Sequence, residues 1–209
     1  MASKRIYLIR HGQTDYNQRG IVQGSSVDTS LNETGKLQAS LFYEHHKNIP
    51  FDKIYTSKLR RTHQSVQGFI QDAIPWEQHE GLNEISWGEY DGKLTTPADK
   101  AIYTGIMHRW SMGETHLAIG GGESPEEVMA RQIPVWELIL SRTNEINILV
   151  CIHGRAIRIL LCHVMNVPLK NMDSFLHDNL CLYLLEYDGN KISIAKSNSV
   201  AHLEKMQRV

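Results

Sequence analysis

A chain of 209 residues with 41% hydrophobic and 22% charged side chains is long enough for one well-buried domain and too apolar for a disordered one. Its 22 basic and 23 acidic residues leave a formal net charge of −1, which excludes the broad basic field of a nucleic-acid binder. No apolar run approaches the roughly 20 residues that cross a bilayer, so neither nucleic acid nor membrane is expected as a partner. Cys151, Cys162 and Cys181 lie far apart without a C-x-x-C pair, as in a reducing compartment. Met1-Ala2-Ser3-Lys4-Arg5 leads directly into a strand-like run with no apolar signal region, and a cytoplasmic protein is expected. Eleven histidines are the one unusual count.

Arg5-Ile6-Tyr7-Leu8-Ile9 reads as a buried strand, β-branched and aromatic. Asn32 can cap a helix from Glu33 to about His46, with Leu37, Leu41 and Phe42 on its apolar face. Lys53-Ile54-Tyr55-Thr56 is a second strand, and Ser57 is expected to cap a helix running through about Asp72. Ser124-Pro125-Glu126-Glu127 carries a capping box with proline at the first helical position, so a long helix begins there. The glycine run 120–122 ahead of it is read as a flexible hinge. Asn147–Ile152 is the most apolar strand and leads through His153-Gly154 into a helix over Arg155–Val164. Leu180–Tyr187 and Lys191–Ser197 flank Asp188-Gly189-Asn190 as a β-hairpin.

Strands alternating with helices predict an α/β fold: three layers, helices on both faces of a mainly parallel sheet, with an antiparallel edge or hairpin near the C-terminus. No linker or repeat divides residues 1–209, so one domain is expected, with a lid subregion around 91–122. Ligands of such sheets bind beyond the carboxyl ends of the strands. Arg10-His11-Gly12, Ser57–Arg61 and His153-Gly154-Arg155 all fall at that rim. Two His-Gly pairs with arginines nearby suit a compact anion such as phosphate, because a guanidinium binds its oxygens in pairs and stays charged.

Leu8-Ile9-Arg10-His11-Gly12-Gln13-Thr14-Asp15-Tyr16-Asn17 resembles the signature of the histidine phosphatase superfamily, the phosphoglycerate-mutase-like proteins. Ser57-Lys58-Leu59-Arg60-Arg61-Thr62 resembles its second block and selects Arg61 over Arg60. Gly81-Leu82-Asn83-Glu84 with Trp87–Gly92, then Gly121–Ser124 and Cys151–Gly154, match the remaining blocks in order. The resemblance implies that His11 attacks phosphorus and forms a phosphohistidine, its other ring nitrogen held by a backbone carbonyl. Arg10, Arg61 and His153 would surround the phosphoryl oxygens, with Asn17, Gln23 and the Gly154 amide as neutral donors. Glu84 would be the general acid and then the base, with Glu89 its nearest rival. No metal and no cofactor is implied, since the arginines supply the positive charge.

The substrate expected is a small phosphorylated metabolite: a sugar phosphate, a nucleotide-like phosphate or α-ribazole phosphate. Mutases of this family usually place arginine directly after the acid-bearing Leu-Asn-Glu, where this chain has Ile85. Between Asp91 and Gly120 it offers only Lys93, Lys100 and Arg109 as fixed cations. A phosphomonoesterase is therefore expected, ahead of a phosphoglycerate mutase or an idle phosphate-binding module. His108 and His116 fall in the expected lid, and the other histidines, His177 among them, are read as surface or core. Trp136 is read as core and Cys151 as a small apolar filler.

Overall fold

The computed structural model describes residues 3–93 and 96–208. Strand β1 is Lys4–Arg10. A one-turn helix α1, Asp15–Gln18, and the longer α2, Glu33–His46, follow, α2 being capped by Asn32 as expected. Strand β2 is Lys53–Thr56; helices α3, Arg60–Ser65, and α4, Gln67–Gln71, precede a three-residue strand β3, Trp76–Gln78. Helices α5, Pro97–Ser111, and α6, Pro125–Ser141, lead to strand β4, Asn147–Ile152, and helix α7, Gly154–Val164. The hairpin β5, Leu182–Tyr187, and β6, Ile192–Ser199, is followed by a 3-10 segment, Ala201–Arg208.

The six strands form one sheet in the order β3-β2-β4-β1-β5-β6. The first four are parallel, and β5 and β6 extend the sheet antiparallel from β1. Side chains alternate along β1 because successive Cβ atoms point to opposite faces. Ile6 and Leu8 pack with Trp136 and Ile139 of α6 and Ile157 and Leu160 of α7. Tyr7 and Ile9 pack with Phe42 of α2 and Phe69 of α4. Helices thus cover both faces, and β4 is buried from Ile148 to Ile152 because both faces are covered.

The expected helix from Ser57 to Asp72 is instead two short helices, and Ser57 does not cap either. Leu59 is the N-cap of α3, without a side-chain bond, and the Ser57 hydroxyl accepts the Leu59 amide at 3.0 Å. The break falls at Val66, with φ −118° and ψ 15°. Just before it, Ser65 Oγ donates to the Arg61 carbonyl four residues back at 2.7 Å, a contact that bends helices. Where a hinge was expected, Gly120 and Gly122 are closely packed, and Gly121 lies in open space at φ 70°. A Cβ on Gly122 would sit 2.1 Å from the Ser86 carbonyl oxygen, and one on Gly88 1.8 Å from that of Gly120. Much of the stretch expected as a lid is α5; Leu94 and Thr95, within it, lie outside the described residues.

Candidate active site

β1 and β4 are parallel neighbours with Arg10 opposite Ile152, so the residues that follow each strand emerge side by side. The His11 amide continues the ladder to the Ile152 carbonyl at 3.0 Å. The rings of His11 and His153 lie 5.2 Å apart between centroids. His11 Nδ1 is 2.7 Å from the Gly12 carbonyl oxygen. A carbonyl can only accept, so Nδ1 carries the proton and the lone pair is on Nε2. The same reasoning settles His153. Arg61 Nε donates to its Nδ1 at 3.1 Å, so Nε2 carries the proton and faces Ser57 Oγ at 2.8 Å.

A cavity of about 150 Å³ opens at this rim. Of the residues singled out by sequence it is lined by Arg10, His11, Asn17, Gln23, Glu84 and Gly154. Arg61 and His153 are fully buried, His153 in ring contact with His11 and Arg61 bonded to His153. Arg61 also donates to the carbonyls of Val27 at 2.7 Å and Gly24 at 3.3 Å. Arg60, by contrast, is exposed and lies 3.9 Å from Asp28. Arg10 donates from Nη1 to the His177 carbonyl at 2.6 Å, and its buried Nε has no partner among the described residues. A Cβ on Gly154 would come within 3.3 Å of that Nε and 3.2 Å of the His177 ring, so glycine there lets Arg10 and His177 close over the start of α7.

Glu84 is buried against the N-terminus of α7. Its Oε1 accepts the amides of Ala156 at 2.9 Å and Ile85 at 3.0 Å, and Oε2 accepts Arg155 N at 3.0 Å. The contacts to Arg155 and Ala156 occupy amides that a helix start leaves without intrahelical partners. The loop that carries Glu84 is clamped by Arg131 of α6. Its guanidinium donates to the carbonyls of Gly81, Asn83 and Glu84 at 2.8, 2.9 and 3.0 Å and pairs with Glu123 at 2.7 Å. Glu89 is exposed and does not line the cavity. Asn17 Oδ1 is engaged by Asn179 and by the Thr14 amide, both at 3.2 Å, so what Asn17 can offer a ligand is its NH₂ group. Gln23 donates to Thr14 Oγ1 at 2.7 Å and accepts from Thr29 at 2.6 Å.

Ile21, Val22, Trp87, Tyr103, Arg155 and His177 complete the lining; of these, Tyr103, Arg155 and His177 supply polar chemistry to which the sequence reading gave no role. The sequence places Arg155 at the rim with His153 and Gly154 and no more. His177 arrives on the segment crossing the end of β1 and has no local signal. His108 and His116 are exposed and outside the cavity. Cys151 is fully buried and burial pushes its thiol up, which leaves it an inert filler. Trp136 is in the core.

Burial, then the charges of Arg61 and Arg10, hold the His11 imidazole well below its ordinary range, and burial with Arg61 does the same to His153. Burial lowers the Arg61 guanidinium to about 10, so it stays charged near neutrality. Burial also takes His46 and His202 to about 4 and His177 to about 3. The unfolded chain takes up protons near pH 6.5 on all five histidines, which the folded chain refuses. Stability is therefore full above pH 6.5 and falls below it, by about 1.4 kcal/mol per pH unit for each histidine that stays neutral. The melting temperature should drop steadily between pH 7 and pH 5, with proton uptake on unfolding in calorimetry; a flat profile would contradict these burials.

An imidazole with a free ring nitrogen, backed by buried guanidiniums at the carboxyl edge of a parallel sheet, is an arrangement suited to a compact anion. Residues 6–200 match the sequence profile of the histidine phosphatase superfamily (branch 1). A broad-specificity phosphatase of Saccharomyces cerevisiae is 33% identical over 165 residues, covering 75% of this chain and 68% of its own. Phosphoserine phosphatase 1 of Hydrogenobacter thermophilus is 28% identical over 201 residues, 95% of this chain and 94% of its own. The mycobacterial glucosyl-3-phosphoglycerate phosphatase solved with VO3 superposes with a TM-score of 0.81 at 28% identity, over 94% of this chain and 99% of that one. The chain belongs to the histidine phosphatase superfamily, branch 1, and the relatives named here are phosphatases.

Proposed function

We propose that His11 is the nucleophile of a metal-independent phosphomonoesterase and Glu84 its proton donor and acceptor. The observation that carries this is the His11–Gly12 contact, which puts the lone pair on Nε2 of a ring lining the same cavity as Arg10 and Glu84. In the first step Nε2 bonds to phosphorus, the ester P–O bond breaks, and Glu84 protonates the departing alkoxide. In the second, Glu84 takes a proton from water as its oxygen replaces Nε2 on phosphorus. Arg10 and Arg61 supply the fixed positive charge, Asn17, Gln23 and the Gly154 amide are the neutral donors, and His153, whose N–H faces Ser57, packs against the His11 ring and holds Arg61. The depressed pKa of His11 keeps it a neutral nucleophile in mild acid.

Water as the acceptor is supported by the lining from 91–122. That stretch contributes Tyr103 to the cavity and none of Lys93, Lys100 and Arg109; Arg109 is paired with Glu114. A mutase must hold two anionic ends of its substrate and keep the phosphoenzyme dry, for which fixed cations in the lid are suited. The relatives' names span phosphoserine, glucosyl-3-phosphoglycerate and broad-specificity activities, so substrate choice lies outside the shared phosphate cradle. All three cysteines are free and buried, which fits a reducing cytoplasm.

An aryl phosphate should be hydrolysed in EDTA, and quenching without acid followed by mass spectrometry should find the phosphoryl group on His11. Bound phosphate without turnover would instead make the protein a recognition module. Formation of 2-phosphoglycerate from 3-phosphoglycerate faster than free phosphate would make it a mutase. Arg61→Ala should cost about 10²–10³ in kcat and lower the melting temperature, because the Val27 and Gly24 carbonyls and His153 Nδ1 lose their donor. Arg60→Ala should stay within about twofold. A loss confined to Arg60→Ala would assign the wrong arginine.

A further inference from the structure

We infer that Arg155 forms a second anion subsite beside the phosphate pocket, so that the preferred substrate is a compact phosphomonoester whose alcohol portion carries a carboxylate. The inference rests on the phosphatase reading above and adds to it the chemical class of the leaving group. Arg155 is a charged residue of the cavity lining with 7% of its surface exposed. It is the third residue of the His153-Gly154-Arg155 turn, so the amide that holds Glu84 and the guanidinium belong to the same residue. A group bound by that guanidinium would therefore sit on the leaving-group side of the site, next to the proposed proton donor.

The charges around it do not balance. Arg155 and Arg158 share one carboxylate oxygen, Asp173 Oδ1, with Arg155 Nη1 at 2.6 Å. One carboxylate serving two guanidiniums leaves one positive charge over; both guanidiniums are largely buried, while Asp173 itself is half-exposed. Arg155 Nη2 donates to the Met107 thioether at 3.1 Å, a weak acceptor for a charged donor, and the guanidinium's other neighbour in hydrogen-bond contact is the neutral Tyr103 hydroxyl; a carboxylate oxygen would replace either with advantage. The guanidinium lies 5.7 Å over the Trp110 ring, so it is already positioned and loses little freedom on binding. After burial, the charges of Arg10, Arg158 and Arg155 are what depress the nearby His177 imidazole, so the field at that wall of the cavity is positive. The cavity itself is small, which restricts the ester to a short chain.

Two esters identical except at one carbon test this. 3-Phosphoglycerate carries a carboxylate where glycerol 3-phosphate carries a hydroxymethyl group. Phosphate release from 3-phosphoglycerate should be favoured in kcat/KM by about 10–100-fold, the range of a charge-assisted hydrogen bond. In Arg155→Met that ratio should collapse to within about threefold, mostly through KM for the carboxylate ester, and Arg155→Lys should restore part of it. Asp173→Asn removes the competing carboxylate and should lower KM for 3-phosphoglycerate while leaving the ratio at or above the wild-type value; it reads the same subsite should Arg155→Met fail to fold. Absence of the preference in the wild type, equal losses on both esters in Arg155→Met, or a rise in KM for 3-phosphoglycerate alone in Asp173→Asn would each overturn the assignment. His11-dependent hydrolysis of an aryl phosphate in the same preparations separates the two claims. If it persists without the preference, only the Arg155 subsite falls; if it is missing, the phosphatase reading falls and takes the subsite with it.

Discussion

His11→Ala should lower the rate of phosphoester hydrolysis by at least ~10⁴-fold, because a displacement in two steps has no route without the group that carries the intermediate. The substitution removes only the ring. The backbone of residue 11 is anchored by its own amide to Ile152 and by Leu180 N and Asn179 Nδ2 donating to its carbonyl, at 3.0, 3.3 and 3.2 Å. Alanine keeps all three contacts. Arg10 and Arg61 are held by carbonyls of His177, Val27 and Gly24, none of which depends on the imidazole. Inorganic phosphate should therefore still raise the melting temperature of the variant, and this separates a missing nucleophile from a collapsed pocket. Turnover within tenfold of the wild type, with the fold intact, would place the nucleophile elsewhere.

The pocket's core could be read in sequence because it is local. Ile6–Ile9 and Ile148–Ile152 are apolar runs that read as buried strands, the first leading through Arg10 and the second directly into His-Gly; the rim rule for parallel sheets then brings both histidines to one edge. What lay beyond reading is set by tertiary contacts. β3 is three residues long, too short for a periodic signal. The break between α3 and α4 depends on Ser65 turning back on the Arg61 carbonyl, an alternative that pattern alone does not weigh. α5 is a different kind of miss, since Thr96-Pro97-Ala98-Asp99 carries the same capping signature as Ser124-Pro125-Glu126-Glu127. That signal was present in the stretch read only as a lid, and was not used. Arg131 and His177 reach the site from distant segments, so only the folded chain shows that one clamps the Glu84 loop and the other lies against Gly154 and anchors Arg10 through its carbonyl.

Glu84→Gln should separate the acid's chemistry from its place in the fold. For an alkyl phosphate the leaving alkoxide is a strong base and must be protonated as it departs, so the loss should be about 10²–10⁴-fold. An activated aryl phosphate leaves as a stable anion and needs little help, so its formation of the phosphoenzyme should fall far less. The substitution has a structural cost that the comparison cancels. Glu84 presents only acceptors to three backbone amides. A glutamine oxygen can keep Ala156 and Ile85, but its NH₂ group then faces the Arg155 amide, donor against donor, at a cost of about 1–3 kcal/mol. That penalty shifts the folding equilibrium and both esters alike, whereas a lost proton donor weighs on the poor leaving group alone. Glu84→Asp removes the donor-against-donor contact but draws the carboxyl back from the Arg155 and Ala156 amides, so it should recover neither the full stability nor the alkyl-ester rate. Equal losses on the two esters in Glu84→Gln would remove Glu84 from proton transfer and leave it as a cap on α7.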